Sequence, residues 1–234
     1  MNEVQLSKRL EKVVTYISPG SRIADIGSDH AYLPCYAVNN GLASYAIAGE
    51  VVKGPYESAR QQVAKTALTA KIDVRFGDGL AVIDHTDKID TIVIAGMGGA
   101  LIRSILENGA SKLLTAKELV LQPNVAAWQI RDWAEKNHWE IVSEAILRED
   151  NKIYEVLHLK RAAEQVSYNE SEKLFGPCLL QEKNTVFREK WLHEKENWQK
   201  IGTAIRKSAV LSEANKKRLK ELENNIQLAE EVLK

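Results

Sequence analysis

Ile23-Ala24-Asp25-Ile26-Gly27-Ser28-Asp29-His30-Ala31-Tyr32-Leu33-Pro34 joins an apolar run to an amphipathic one through a turn built of glycine and acids. The apolar run, Arg22–Ile26, reads as a strand, and 31–40 reads as a helix. A strand opening into a helix at such a turn is where an open α/β sheet binds its ligand. The run is not a G-x-G-x-x-G fingerprint, because Asp29 and Tyr32 stand where the later glycines would be. A pyrophosphate needs amide donors free of carboxylates, and Asp25 and Asp29 would repel it. A ligand with cationic character, such as a sulfonium bearing an α-amino group, is attracted instead. A plainer reading stays open, in which this is a simple turn and Asp29 caps the helix.

The same rhythm continues on both sides of that turn. Strand-like runs fall at Tyr45–Gly49, Ile72–Phe76, Ile89–Ala95 and Leu119–Gln122, with helical patterns near 52–68, 98–109 and 125–137. Such alternation predicts βαβ units and a parallel sheet covered on both faces. It then breaks. Trp139–Leu147 and Ile153–Lys160 are strand-like with no room for a helix between them, which predicts an antiparallel hairpin at the end of the sheet. Residues 3–17 form an amphipathic helix stopped by Ser18-Pro19-Gly20. Beyond Gly176-Pro177 two long helical patterns, near 179–207 and 212–233, carry coiled-coil spacing. The seams are Phe187, Trp191, Trp198, Ile201, Ile205 and Leu219, Leu222, Ile226, Ala229, Leu233. The short connection Ser208–Ser212 makes the pair antiparallel. The expected organisation is an α/β domain at 1–163 and a C-terminal α-helical coiled-coil hairpin at 164–234.

Each remaining strand ends in polar chemistry. Ala48-Gly49-Glu50-Val51 places an acid about 20 residues after the first glycine, where it can accept hydrogen bonds from both hydroxyls of a ribose. Phe76-Gly77-Asp78-Gly79-Leu80 sets an aspartate in a tight turn, suited to an exocyclic amine. Ala95-Gly96-Met97-Gly98-Gly99-Ala100 brings backbone close to whatever it faces. Gln122-Pro123-Asn124 offers two amides whose donors and acceptors match a purine edge. Any one of these is an ordinary turn. Together they line one side of a parallel sheet, and that coincidence predicts an active site there.

Composition bounds the partners. Among 234 residues, 32 basic side chains balance 32 acidic ones, which excludes a globally basic nucleic-acid coat but not a local basic patch. No apolar run approaches the roughly 18 residues of a membrane helix, and the first residues lack a signal-peptide core. Cys35 and Cys178 match no metal spacing and no disulfide framework, so a reducing cytoplasm is expected and a metal site is not.

The turn Asp25-x-Gly27, Glu50 on the second strand and Asp78 after the third resemble the binding signature of class I S-adenosylmethionine-dependent methyltransferases. The five motifs together, with the helical hairpin, resemble the bacterial tRNA (adenine-N1) methyltransferase family, which modifies adenine 22 of tRNA. The resemblance spans the whole chain. It implies a Rossmann-like class I methyltransferase sheet and S-adenosyl-L-methionine as cofactor. Cofactor contacts implied are Asp25, Gly27, Ser28, His30, Glu50, Val51, Asp78, Gly79, Ala95 and Gly96, and substrate contacts Arg9, Gln122 and Asn124. His30 either contacts the ligand or packs at the helix start. N6-adenine enzymes carry an Asn/Asp-Pro-Pro-Tyr-like motif after the fourth strand. Here Ala95-Gly96-Met97-Gly98-Gly99 takes that place with no following aromatic residue, which favours ring-nitrogen chemistry.

Adenine N1 already carries a lone pair, so in-line placement is the main requirement. The product is cationic, and Asp29 is the expected catalytic group: it stabilises the developing charge or accepts a proton from N6. For the tRNA partner, Lys8, Arg9 and the cluster Lys216, Lys217, Arg218, Lys220 supply positive charge. That cluster also reads as a solvated helix face paired with Glu221 and Glu223. A monomer is expected. Two other readings remain: a methyltransferase of another RNA, small molecule or protein, and a non-catalytic coiled-coil interaction protein on a nucleotide-binding domain.

Overall fold

The computed structural model describes residues 5–207 and 212–234. Seven strands form one sheet: β1 (Ser21–Ile26), β2 (Ala43–Glu50), β3 (Ile72–Phe76), β4 (Thr91–Gly98), β5 (Glu118–Val125), β6 (Trp139–Glu149) and β7 (Lys152–Arg161). Their order is β3-β2-β1-β4-β5-β7-β6. β1 to β5 run parallel, while β7 pairs antiparallel with both β5 and β6. The expected terminal hairpin is therefore present, with its second strand inserted beside β5.

Alternation along the strands feeds two cores. Ile47, Ile92, Ile94, Leu119, Leu121 and Leu157 face one side. There they meet α4 (Gly99–Asn108) through Ile102 and Leu106, and α5 (Trp128–Lys136) through Ile130 and Trp133. Ile23, Ala46, Ala48, Val93, Val120 and Val156 face the other side. They meet α1 (Lys8–Val14), α2 (Tyr32–Asn39) and α3 (Lys53–Lys65). The sheet is thus covered on both faces, as β strands buried on both sides require.

Three boundaries differ from the sequence reading. The N-terminal helix is shorter than 3–17: Ser7 caps it by accepting from the Leu10 amide at 3.3 Å, and Glu3 and Val4 lie outside the described residues. Two short helices, α6 (Glu170–Phe175) and α7 (Pro177–Glu182), precede the long pair, so the helical pattern expected from 179 is broken and the long helix starts only at Thr185. The chain divides after Cys178 rather than after 163. The reason is a buried ionic cluster. Arg131 of α5 lies between Glu144 and Glu155, all three nearly without solvent contact. Arg131 also donates to the Lys173 and Leu174 carbonyls at 3.3 and 3.1 Å, and the Cys178 amide donates to Glu144 at 3.0 Å. These bonds tie 164–178 to the sheet unit. Removing one partner would leave an unpaired buried charge.

The second unit, Leu179–Lys234, contains α8 (Thr185–Arg206) and α9 (Glu213–Leu233). Lys183 donates to the Val232 carbonyl and Arg188 to that of Leu233, while Arg206 pairs with Glu223, so the helices are antiparallel. Of the expected connection, residues 208–211 lie outside the described residues, and Ser212 caps α9. The seam is displaced by one residue from the expected one at two points. Gly202 is buried in place of Ile201, and Val232 in place of Leu233. Gly202 has no side chain, and a Cβ there would make only an ordinary contact with Leu219.

Candidate active site at the strand ends

The loop after β1 is wound tightly. Gly27, Asp29 and Ala31 have φ of +72°, +49° and +53°. Left-handed backbone costs a non-glycine residue roughly 1–2 kcal/mol, least for Asp and Asn. Such strain concentrates at functional loops. The Gly27 and Ser28 amides both donate to the Gly49 carbonyl, at 2.9 and 3.1 Å, which carries the β1–β2 pairing past the strand end. Glu50 is buried, and one of its carboxylate oxygens accepts from the Asp29 amide. The Gly77 amide donates to the Glu50 carbonyl at 2.8 Å, so the turn after β3 is tied to the same residue.

Asp25 is fully enclosed beside this loop, 4% exposed. Ser28 Oγ donates to its Oδ2 at 2.6 Å. Burial pushes the carboxyl up to about 7; the Ser28 hydrogen bond opposes that rise and the neighbouring Glu50 adds to it. Asp29 has an exposed side chain. It does not cap α2: the cap position is Ala31, and no side chain accepts there. Its carboxylate lies 3.7 Å from His30 Nε2, and His30 stacks on Tyr32 at 5.3 Å. Val51, Phe76 and Asp78 are exposed around the ends of β2 and β3, and Gly79 follows Asp78 at φ +52°.

A second cluster forms where β4 and β5 end. The pairing of β4 with β5 is irregular around Gly96, which sits at φ +80°, with Ala95 opposite Gln122 and Met97 opposite Pro123. Gln122 is completely buried; its Oε1 accepts from the Gly96 amide at 2.9 Å and from Arg9 Nη1. Gln122 Nε2 donates to Asn124 Oδ1 at 3.2 Å, and Asn124 Nδ2 donates to the Gly96 carbonyl at 2.7 Å. The Arg9 guanidinium lies over the Tyr154 ring at 5.3 Å. Met97 reaches Gly27, where a Cβ would collide with its Cε, so the two clusters adjoin.

One exposed aromatic was not anticipated. The loops after β4 and β5 touch backbone to backbone, because a Cβ on Gly99 would strike the Ala126 carbonyl. Just past that contact, Leu101, Val125 and Trp128 are 54%, 68% and 46% exposed. Trp133, Trp139 and Trp191 are buried by comparison. Helical spacing does set Trp128 apart: it lies five residues from Trp133, about 140° around the helix, off the buried face of Ala127, Ile130, Arg131 and Ala134. Among the described residues no group of three His, Cys, Asp or Glu side chains could hold a metal ion, and no helix is long and apolar enough to cross a membrane.

On the second unit, Lys216 pairs with Glu213 at 2.6 Å and Arg218 with Glu221 at 3.3 Å, while Lys217 and Lys220 are exposed. Half of the basic cluster is thus engaged along its own helix.

Comparison with known proteins agrees with this geometry. The family model described as TrmK, tRNA (adenine(22)-N(1))-methyltransferase, matches residues 23–231. A curated Bacillus subtilis tRNA (adenine(22)-N(1))-methyltransferase is 49% identical, covering 100% of this chain and 99% of the relative. The crystal structure of the B. subtilis m1A22 tRNA methyltransferase superposes with a TM-score of 0.91 at 46% identity, over 99% of this chain and 100% of that one. A Streptococcus pneumoniae candidate tRNA (m1A22) methyltransferase, solved in complex with S-adenosyl-L-methionine, has a TM-score of 0.88 at 41% identity, over 98% and 100% of the two chains. By the match along nearly its whole length, the chain belongs to the TrmK family of tRNA (adenine(22)-N(1))-methyltransferases.

Proposed function

We infer that this protein is a tRNA methyltransferase that moves the methyl group of S-adenosyl-L-methionine to N1 of adenine 22. The observation that carries the reading is the pair of buried acids, Asp25 and Glu50, at adjacent ends of β1 and β2 beneath a tightly wound loop. The residues fit the cofactor. Glu50 has one oxygen held by the Asp29 amide and another left for ribose hydroxyls. Asp25 and Asp29 suit a cationic amino acid and sulfonium, where a pyrophosphate would be repelled. In this reading Asp78 accepts the exocyclic amine, Gly27, Ser28 and His30 take the methionine part, and Val51 and Gly79 take the adenosine. Ala95 and Gly96 form the floor. When bound, the cofactor supplies an electrophilic methyl carbon.

The chain's own residues then do the positioning. Adenine N1 would donate its lone pair to the methyl carbon while the carbon–sulfur bond breaks and its electron pair stays on sulfur, so that a neutral thioether leaves and the base becomes cationic. Asp29, solvent-accessible and not used as a helix cap, meets that charge or accepts the N6 proton. Trp128, Val125 and Leu101 offer an apolar rim on which a base drawn out of its pair can rest, since N1 is the Watson–Crick acceptor and is hidden in a duplex. The helical hairpin, with Lys217 and Lys220 exposed, reaches toward tRNA phosphates. The protein acts as a monomer in the cytoplasm; α8 and α9 pair with each other within one chain. Label transfer from the cofactor to an unmodified tRNA transcript tests this reading, and absence of transfer would reject it.

Two measurements address the cofactor site. Glu50→Ala weakens S-adenosyl-L-methionine binding by about 1–3 kcal/mol, roughly 5- to 150-fold, the scale for losing charge-assisted hydrogen bonds. Calorimetric titration checks this, and an unchanged Kd would remove Glu50 from the site. The second concerns pH. Without ligand the Asp25 carboxyl is protonated below about 7, against 3.8 for an unperturbed group. A raised acid stabilises the fold fully below the unfolded value and loses that contribution as pH rises through the folded one. A cationic ligand favours the carboxylate, so binding below about 7 releases a proton. Affinity therefore falls toward tenfold per pH unit below 7 and is flat above it. Titration at pH 6 in buffers of different ionisation enthalpy detects close to one proton released, and Asp25→Asn abolishes the effect.

A further inference from the structure

We propose that Arg9 is a positioning residue: by fixing the orientation of the Gln122 and Asn124 amides it makes the site select adenine over guanine. The inference rests on the reading of the crevice as an adenine N1 methylation site and says how that site recognises its base.

An amide can be turned over at little cost unless its partners forbid it. Here they do. The atom of Gln122 facing Arg9 Nη1 also faces the Gly96 amide, and both are donors, so it must be the oxygen. The Arg9 bond is charge-assisted and is the stronger constraint of the two. Gln122 is completely buried, so water cannot substitute for either donor. With Oε1 committed, Nε2 must donate, and it meets Asn124 Oδ1 at 3.2 Å. Asn124 Nδ2 must then be the group that donates to the Gly96 carbonyl at 2.7 Å. The Gly96 N–H and C=O favour the same sense at Gln122 and Asn124, and the Arg9 guanidinium on α1 adds the charge-assisted bond that locks it.

Asn124 keeps two free positions after these bonds, one lone pair on Oδ1 and one proton on Nδ2. That pair matches the N6 amino group and N7 of adenine, the bidentate contact asparagine makes with this base. Guanine presents O6 and N7, both acceptors, and would set O6 against Oδ1. Holding the N6–N7 edge also leaves N1 unencumbered, as its role as nucleophile demands. A contact along the Watson–Crick edge would occupy the reacting atom.

The test compares methylation of tRNA carrying adenine or 7-deazaadenine at position 22. The analogue keeps N1 and N6 and lacks only the N7 acceptor. In the wild-type chain the analogue lowers kcat/KM by about tenfold, one bond of a bidentate pair. In Arg9→Met the two substrates differ by less than about twofold, and Arg9→Lys, which restores a charged donor, recovers much of the preference. Because each ratio is taken within one variant, general losses of folding or cofactor binding cancel. Gln122→Glu serves as a second variant: the introduced carboxylate still accepts from Arg9 and Gly96 but has no proton for Asn124, so the preference is again lost. An undiminished penalty in Arg9→Met or in Gln122→Glu, or equal use of the analogue by the wild-type chain, overturns the inference while leaving adenine methylation standing. No transfer to adenine by the wild-type chain overturns the underlying reading with it.

Discussion

Removing Leu179–Lys234 abolishes methylation of whole tRNA, a loss of about 100-fold or more, while S-adenosyl-L-methionine binding stays within about twofold. The sheet unit carries its own core on both faces and every residue proposed to contact the cofactor, so it retains the crevice. The cut belongs after Cys178. A cut at 163 would strip Lys173, Leu174 and Cys178 from the buried Arg131–Glu144–Glu155 cluster and expose its charges. What the truncated chain loses is the basic face of α9, a helix of 21 residues and about 30 Å on which Lys217 and Lys220 are exposed. Lost phosphate contacts also make the salt dependence of RNA binding shallower, by close to one logarithmic unit of slope for each contact. Binding measured at two salt concentrations, full-length against truncated, separates this from a scaffold role. In the latter case tRNA affinity per chain persists and only the assembly state changes.

Asp29→Asn lowers turnover by roughly 10²–10³-fold, the scale for removing one group that meets charge developing in the transition state. Cofactor affinity and Tm stay near those of the wild-type chain. The structure makes this a clean substitution. The Asp29 side chain caps nothing, its amide rather than its carboxylate holds Glu50, and asparagine tolerates φ of +49° as readily as aspartate. Unchanged turnover in single-turnover kinetics would show that Asp29 is a backbone device alone, present for its amide.

The sheet was legible because its information is local. Alternating apolar runs and turn residues specify strands one at a time, and the lack of a helix between Trp139–Leu147 and Ile153–Lys160 was enough to require the β6–β7 hairpin. The site motifs were legible for the same reason, since each lies within a few residues of one strand end. Features set by distant contacts were not. The boundary at Cys178 depends on Arg131 meeting Glu144 and Glu155, which are 13 and 24 residues away in sequence. Arg9 reads from the sequence as a substrate contact; the bond of its guanidinium to Gln122, 113 residues on, and its place over Tyr154 leave no local trace. The coiled-coil spacing located both helices of the hairpin but not the one-residue shift that Gly202 permits, because a heptad count treats glycine as empty.

These strand ends direct a methyl group to the ring nitrogen of one adenine. The most direct measurement incubates the protein with labelled S-adenosyl-L-methionine and unmodified tRNA, digests the product and identifies the labelled nucleoside. The expected result is 1-methyladenosine, absent when adenine 22 is replaced by guanine in the transcript. Label recovered as N6-methyladenosine, or retained after that replacement, would show that the methyl group goes to another atom or another base.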